Sequence, residues 1–266
     1  MKLKLIAFIC FCLLAPNLFA QTPVAIEADL LKSFKKINYW DDKFRSNTMN
    51  GLSAEDSLGK ANEVFAKKLK DYTVRYPSTI SQDFSALKKA YLDIYTSADG
   101  LFRIYSWETW LGGTMRDFAN VFQYKAGGKI QSTYLHSTGN DNKPYVPLYS
   151  NLYTFSFSQK TYYLAVYDCI YSTKDAGTGI QIFDIENGKL NKNAKIIKTA
   201  SGLHSKIYYD YDFLSVVDID FDKRPDIYFD SATQTIHIPL VTGNGKVTSQ
   251  YIIYKFTGQY FERVKN

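Results

Sequence analysis

From Val24 to Tyr95 apolar residues recur every three or four positions, the period of a helix packed on one side. Ile26, Leu30, Phe34 and Ile37 form one stripe, with Lys32, Lys35 and Lys36 off it. Ser53 with Asp56 reads as a capping-box start for a second helix. Leu58, Phe65 and Leu69 would be its apolar face, with Pro77 at or just past its end. A third helix is expected over about 82–95, with Phe84, Leu87, Tyr91 and Ile94 on one side.

After Asp99-Gly100 the pattern becomes that of strands. The runs 101–107, 153–157, 162–171 and 180–185 are rich in Tyr, Phe, Ile and Val. Turn signals separate them at 126–129, 138–141, 176–179 and 186–189. Asn187-Gly188 suits a hairpin. The end reads as a meander over 227–229, 236–241, 248–256 and 260–264, with turns at Asn244-Gly245 and Thr257-Gly258. The predicted fold class is α+β: N-terminal helices over about 24–95, then a predominantly antiparallel β domain over about 100–266. That domain would be a curved sheet, a sandwich or a partial, propeller-like barrel. The boundaries are 1–20, 21–98 and 99–266, with 21–266 as one cooperative unit.

Residues 1–20 read as a secretory signal peptide. Lys2 and Lys4 precede an apolar run from Leu5 to Leu14, Pro16 breaks it, and Ala20 offers the cleavage point. The run is too short to span a membrane. Cleavage would remove both lysines and lower the net charge from +6 to +4. It would also remove Cys10 and Cys12, leaving Cys169 as a lone thiol in an apolar run and no internal disulfide. The protein would be periplasmic or extracellular. The basic residues are scattered, so no nucleic-acid footprint is present, and no other stretch predicts a membrane span. The outlying composition is aromatic: 22 Tyr and 18 Phe, with aromatics at 16% of the chain.

Two segments carry a resemblance. DGLFRIYSWETWLGGTMRDFANVFQY, from Asp99 to Tyr124, and the terminal stretch with IHIPLV, VTSQYIIYKF and GQYFERV resemble parts of an uncharacterised family of exported proteins of Gram-negative bacteria. The resemblance implies export and a β-rich fold. It implies no activity, ligand or catalytic residue.

Four features carry candidate chemistry. Tyr105, Trp107, Trp110, Gly112 and Gly113 lie close in sequence; two Trp beside a glycine pair form an aromatic shelf for a sugar or another flat ligand, or else core and turn. Asp218, Asp220, Asp222 and Asp226 have the alternating spacing of a calcium loop, similar to those of FG-GAP propeller repeats. Lys223 and Arg224 sit where the cation would go, and Phe221 and Lys223 replace the usual turn glycines. No cofactor other than this Ca²⁺ is suggested. No zinc-enzyme spacing joins His136, His204 and His237, and no nucleophile elbow exists. Glu108 beside Trp107 is a candidate acid for glycoside hydrolysis, which requires a second carboxylate. Tyr208-Tyr209-Asp210-Tyr211-Asp212 reads as a sticky partner surface or as ordinary β surface.

The leading expectation is therefore an exported, non-catalytic binding or interaction protein of the bacterial envelope, with a glycan or an envelope protein as partner. The alternatives are a carbohydrate-active enzyme with its cleft near Trp107 and Trp110, and a calcium-stabilised structural protein. Two acids facing one groove beside the Trp pair would favour the enzyme over the binder.

Overall fold

The computed structural model of the protein describes residues 22–46, 51–137, 146–220 and 223–264, apart from the side chains of 51 and 52. The stretch 1–20, expected to be a signal peptide, the expected turn at 138–141 and Asp222 lie outside the described residues.

Helix α1 (Pro23–Arg45) begins where Thr22 Oγ1 accepts a hydrogen bond from the Ala25 amide at 3.2 Å, with Pro23 in the first turn. Its stripe of Ile26, Leu30, Phe34 and Ile37 is buried as the periodicity predicts. Helix α2 (Gly51–Arg75) buries Leu58, Phe65 and Leu69. It starts before Ser53, which is helical rather than a cap. A 3-10 turn (Pro77–Ile80) follows. No described helix is long and apolar enough to cross a membrane.

The third expected helix is corrected. Only α3 (Ser85–Lys89) is helical; Phe84 and Tyr91 adopt left-handed backbone, at φ 53° and 68°, on either side of it. Asp93–Thr96 is instead strand β1, paired antiparallel with β2 (Phe102–Glu108). Spacing misled because Ile94 is an inward position of a strand and Leu87 of a helix, and the two happen to lie on one stripe. Glu27 on α1 holds α3 in place: its carboxylate accepts from the Ala86 amide at 2.6 Å and the Leu87 amide at 3.2 Å.

Three sheets follow. The first is β1-β2-β3-β4, with β3 (Phe118–Ala126) and β4 (Lys129–His136). The second is β11-β7-β6-β5, from β5 (Leu148–Phe157), β6 (Lys160–Ile170), β7 (Asp175–Glu186) and β11 (Lys206–Asp212), with β8 (Lys189–Asn191) also on β7. The third is β10-β9-β15-β14-β13-β12. It uses β9 (Ile197–Thr199), β10 (Gly202–His204), β12 (Tyr228–Asp230), β13 (Thr235–Val241), β14 (Val247–Phe256) and β15 (Phe261–Arg263). Among the described strands every pair is antiparallel except β15 with β9. The fold is thus α+β, helices first and then mostly antiparallel sheets that do not close into a barrel.

Three apolar cores stack the layers. The helices lie on Tyr105, Trp107, Ala119 and Val121 of the first sheet. The opposite face of that sheet, with Phe102, Ile104 and Phe122, packs on Tyr149, Tyr163, Tyr167 and Phe183 of the second. The far face of the second sheet, with Leu164, Val166, Ile180 and Ile182, packs on Ile236, Ile238, Phe256 and Phe261 of the third. Strands β2, β3, β6 and β7 are therefore covered on both faces, which is why their sequences run apolar without clean alternation.

One turn is also corrected. The stretch 176–179 is not a turn but the start of β7, paired through Gly177 and Gly179 with both neighbours. Asn187-Gly188 does turn β7 into β8, with both residues at positive φ.

Phe102 locks the first sheet to the second. Its ring centroid lies 5.3 Å from Tyr163, 5.5 Å from Phe183 and 5.6 Å from Phe122. Phe102→Ala is expected to cost about 3–5 kcal/mol in urea unfolding. An unchanged midpoint would show that the layers are held elsewhere.

Candidate functional site

The structure divides the aromatic shelf. Tyr105 and Trp107 are not available to a ligand: their side chains point into the helix-covered core and are essentially inaccessible. Trp107 Nε1 donates to Asn62 Oδ1 at 3.0 Å, its ring meets Phe65 edge-on at 5.1 Å, and it stacks on Tyr134. The Tyr105 hydroxyl donates to Gln123 Oε1 at 2.9 Å, and burial pushes its pKa up to about 12. Trp110, Gly112 and Gly113 lie in the β2–β3 loop. Gly112 is fixed by close packing, since a Cβ there would meet the Met115 carbonyl oxygen at 2.2 Å; Gly113 has open space around it.

Trp110 does border a cleft. This cavity of about 650 Å³ lies between α1, the α3–β1 connection and the open end of the first sheet. Phe34, Phe118 and Leu148 give it apolar walls, and Asp41, Asp42, Asp93 and Glu108 give it carboxylates. The Trp110 ring carries two guanidinium groups, Arg45 at 5.2 Å and Arg116 at 5.7 Å from its centroid. Each arginine in turn holds an acid: Arg45 pairs with Asp41 at 2.7 Å, and Arg116 with Glu108 at 2.9 Å. Trp110 is thus the brace of a charge network rather than a bare shelf.

Strand register puts two of the acids on one side. Asp93 stands opposite Ser106, and Glu108 lies two residues further along β2, on the same face. Their environments differ. Burial raises the Asp93 carboxyl to about 6, opposed by the Tyr95 hydroxyl 3.4 Å away. Burial also raises Glu108, but the Arg116 charge works against it. Tyr91 stands at the mouth of the cleft, 88% exposed on its left-handed backbone. A bulky side chain held at positive φ costs of order 1–2 kcal/mol, and such strain collects at functional sites.

Among its described residues the acidic run does not gather into a group of three carboxylates. Asp220 pairs with Lys223, and Arg224 Nε donates to the Ile219 carbonyl at 3.0 Å, so both bases turn back onto the loop. Asp222 lies outside the described residues. Asp226 belongs to a different group. It faces Asp168 of β6 near Tyr153, Tyr209 and Tyr211, and its carboxyl is raised by burial. Among the described residues no three His, Cys, Asp or Glu side chains converge as a metal site.

Asp93, Tyr91, Asp41 and Asp42 were missed from the sequence. The first two lie inside the stretch whose spacing predicts a third helix. The run Asp93-Ile94-Tyr95-Thr96, aromatic and β-branched, carried the strand signal that would have exposed them. Comparison with known proteins adds no identity: no family model, no curated protein and no solved structure matches the chain.

Asp168 and Asp93 set a pH dependence. Burial raises Asp168 to about 6, with the Asp226 charge adding and the Ser150 and Thr178 hydroxyls opposing. For both carboxyls the folded pKa exceeds the unfolded value of about 3.9, so the native state binds the extra proton more tightly. Their contribution to stability is greatest below about pH 4 and is lost as pH rises through about 6. Asp168→Asn is expected to raise Tm at about pH 7.5 and to change it far less at about pH 4.5. A lower Tm at the higher pH would show that an ionised Asp168 is stabilising.

Proposed function

We propose that the protein is an exported saccharide-binding protein of the bacterial envelope, with the cleft beside Trp110 as its binding site. Tyr91 carries this reading: at the cleft mouth the chain accepts strained backbone to hold a phenol ring out in water. A sugar has an apolar face of C–H groups and a rim of hydroxyls. The Tyr91 ring suits the first, and the Asp42, Asp93 and Asn38 side chains lining the cleft suit the second. The volume of the cleft is in the range of small-molecule sites.

A second reading, glycoside hydrolysis, is favoured by the acid pair. Asp93 keeps its proton nearer neutrality than an ordinary Asp, and Glu108 is also raised by burial, with the paired Arg116 charge opposing the rise. Hydrolysis needs one such acid to protonate the departing oxygen and one carboxylate on the other side of the bond. Export and the envelope location rest on the signal-peptide pattern and the family resemblance, and are part of the proposal.

Calorimetric titration with a panel of neutral oligosaccharides tests both readings. The expected result is that one binds and that Tyr91→Gly weakens it about tenfold or more while leaving Tm unchanged or higher, because glycine relieves the backbone strain. Binding that survives Tyr91→Gly would move the site elsewhere. Release of reducing sugar that Asp93→Asn abolishes would establish hydrolysis; binding without turnover would leave the protein a binder.

A further inference from the structure

A second cavity, of about 420 Å³, lies on the other side of the start of β5, between the first and second sheets. Pro147 and Tyr149 line it, whereas Leu148 between them lines the acidic cleft. Its chemistry is the reverse of the cleft's. Among the described residues no Asp or Glu lines it, and its charged residues are Lys192 and Lys206.

Two glycines of β7 build its wall. Gly179 is paired with Tyr167 of β6 on one side and Tyr208 of β11 on the other. A Cβ at Gly179 would sit 2.5 Å from the Tyr167 ring, and one at Gly177 would sit 2.1 Å from the Tyr208 hydroxyl. The two rings occupy the space that side chains on β7 would take. They lie parallel within 5°, with centroids 6.2 Å apart. Glycine inside a strand weakens it and marks close approach by another group; here the group is a pair of parallel aromatic rings.

Lys192 follows β8 and reaches over the Phe122 ring, its ammonium 5.4 Å from the centroid. Its backbone is pinned. Gln181 Nε2 donates to the Lys192 carbonyl at 2.8 Å, and Gln181 Oε1 accepts from the Tyr149 hydroxyl at 3.1 Å. Burial alone pushes the ammonium below the ordinary lysine value, and no carboxylate pairs with it among the described residues. A half-buried cation without a counter-ion is unfavourable, and a charge-assisted hydrogen bond to an anion would offset that cost.

We infer that this pocket binds a flat organic anion, an aromatic carboxylate whose ring lies against Tyr167 and Tyr208 and whose carboxylate meets Lys192. The flat wall selects a planar ligand, the unpaired ammonium selects its charge, and Lys206 at the rim adds attraction of the same sign. The inference is independent of the saccharide cleft.

The test titrates the purified protein with benzoate, benzamide and inorganic phosphate, following tyrosine fluorescence and calorimetry. Benzoate is expected to bind, with benzamide and phosphate each weaker by about tenfold or more. Lys192→Met should weaken benzoate by a similar factor and Lys192→Arg should retain most of the binding. Tyr91→Gly should leave it unchanged, which separates this result from that of the cleft. No benzoate binding up to about 10 mM would overturn the inference. So would equal affinity for benzamide, which removes the role of charge, or for phosphate, which removes the role of the flat wall. If Lys192→Met fails to fold, the three-ligand comparison on the unmodified protein decides alone.

Discussion

The inner strands of the second sheet, β6 and β7, are covered on both faces, and the rest of the molecule depends on that. Strands β6 and β7 send Tyr163, Tyr167 and Phe183 toward the first sheet and Leu164, Val166, Ile180 and Ile182 toward the third. An inner layer of this kind leaves little strand face for water, so a polar residue in it is either matched or, like Asp168, raised toward its neutral form by burial. Gln181 and Tyr149 pair with each other, and Asp184 is tied to Lys160 at 2.8 Å. The aromatic excess of the composition is explained here, because rings of different sheets interlock: Phe155 meets Phe229, Phe256 and Phe261 across the second interface as Phe102 meets Tyr163 and Phe183 across the first.

The cavities lie where the stacking stops. At the open end of the first sheet, β5 enters between the layers, with alternate residues facing opposite ways. Leu148 faces a space bounded by α1 and the acids; Pro147 and Tyr149 face one bounded by aromatic rings and lysines. One strand thus separates two environments of opposite charge. In the acidic space Arg45 and Arg116, braced on Trp110, neutralise Asp41 and Glu108 and leave Asp93 as the carboxyl raised by burial without an arginine beside it. In the basic space Lys192 has no such partner among the described residues. The two sites therefore differ by the sign of what is unmatched in each.

The sequence made the layers legible more readily than the sites. The stripe of Ile26, Leu30, Phe34 and Ile37 and the turns at Asn187-Gly188 and Asn244-Gly245 follow from local chemistry, and local chemistry decides them. Periodicity failed over 82–95, where a short helix and a strand share one apparent stripe and only tertiary pairing with β2 separates them. It failed again at Gly177 and Gly179, whose meaning comes from Tyr167 and Tyr208 on the neighbouring strands. Trp107 and Trp110 are three apart in sequence, yet one is core and the other braces the loop, because β2 ends between them. Asp93 and Glu108 lie fifteen positions apart and share one face of the sheet only through the strand register, which no local pattern displays.

The central claim is that two ligands of different chemistry bind on opposite sides of β5. Hydrogen exchange followed by mass spectrometry, with saturating oligosaccharide and with saturating benzoate in separate runs, tests it most directly. A bound ligand slows exchange in the segments it orders or locks. The account predicts that the saccharide protects 34–42, 90–94 and 108–118, and that benzoate protects 176–182, 190–194 and 206–210. Protection of the same segments by both ligands would contradict it, as would protection of neither set.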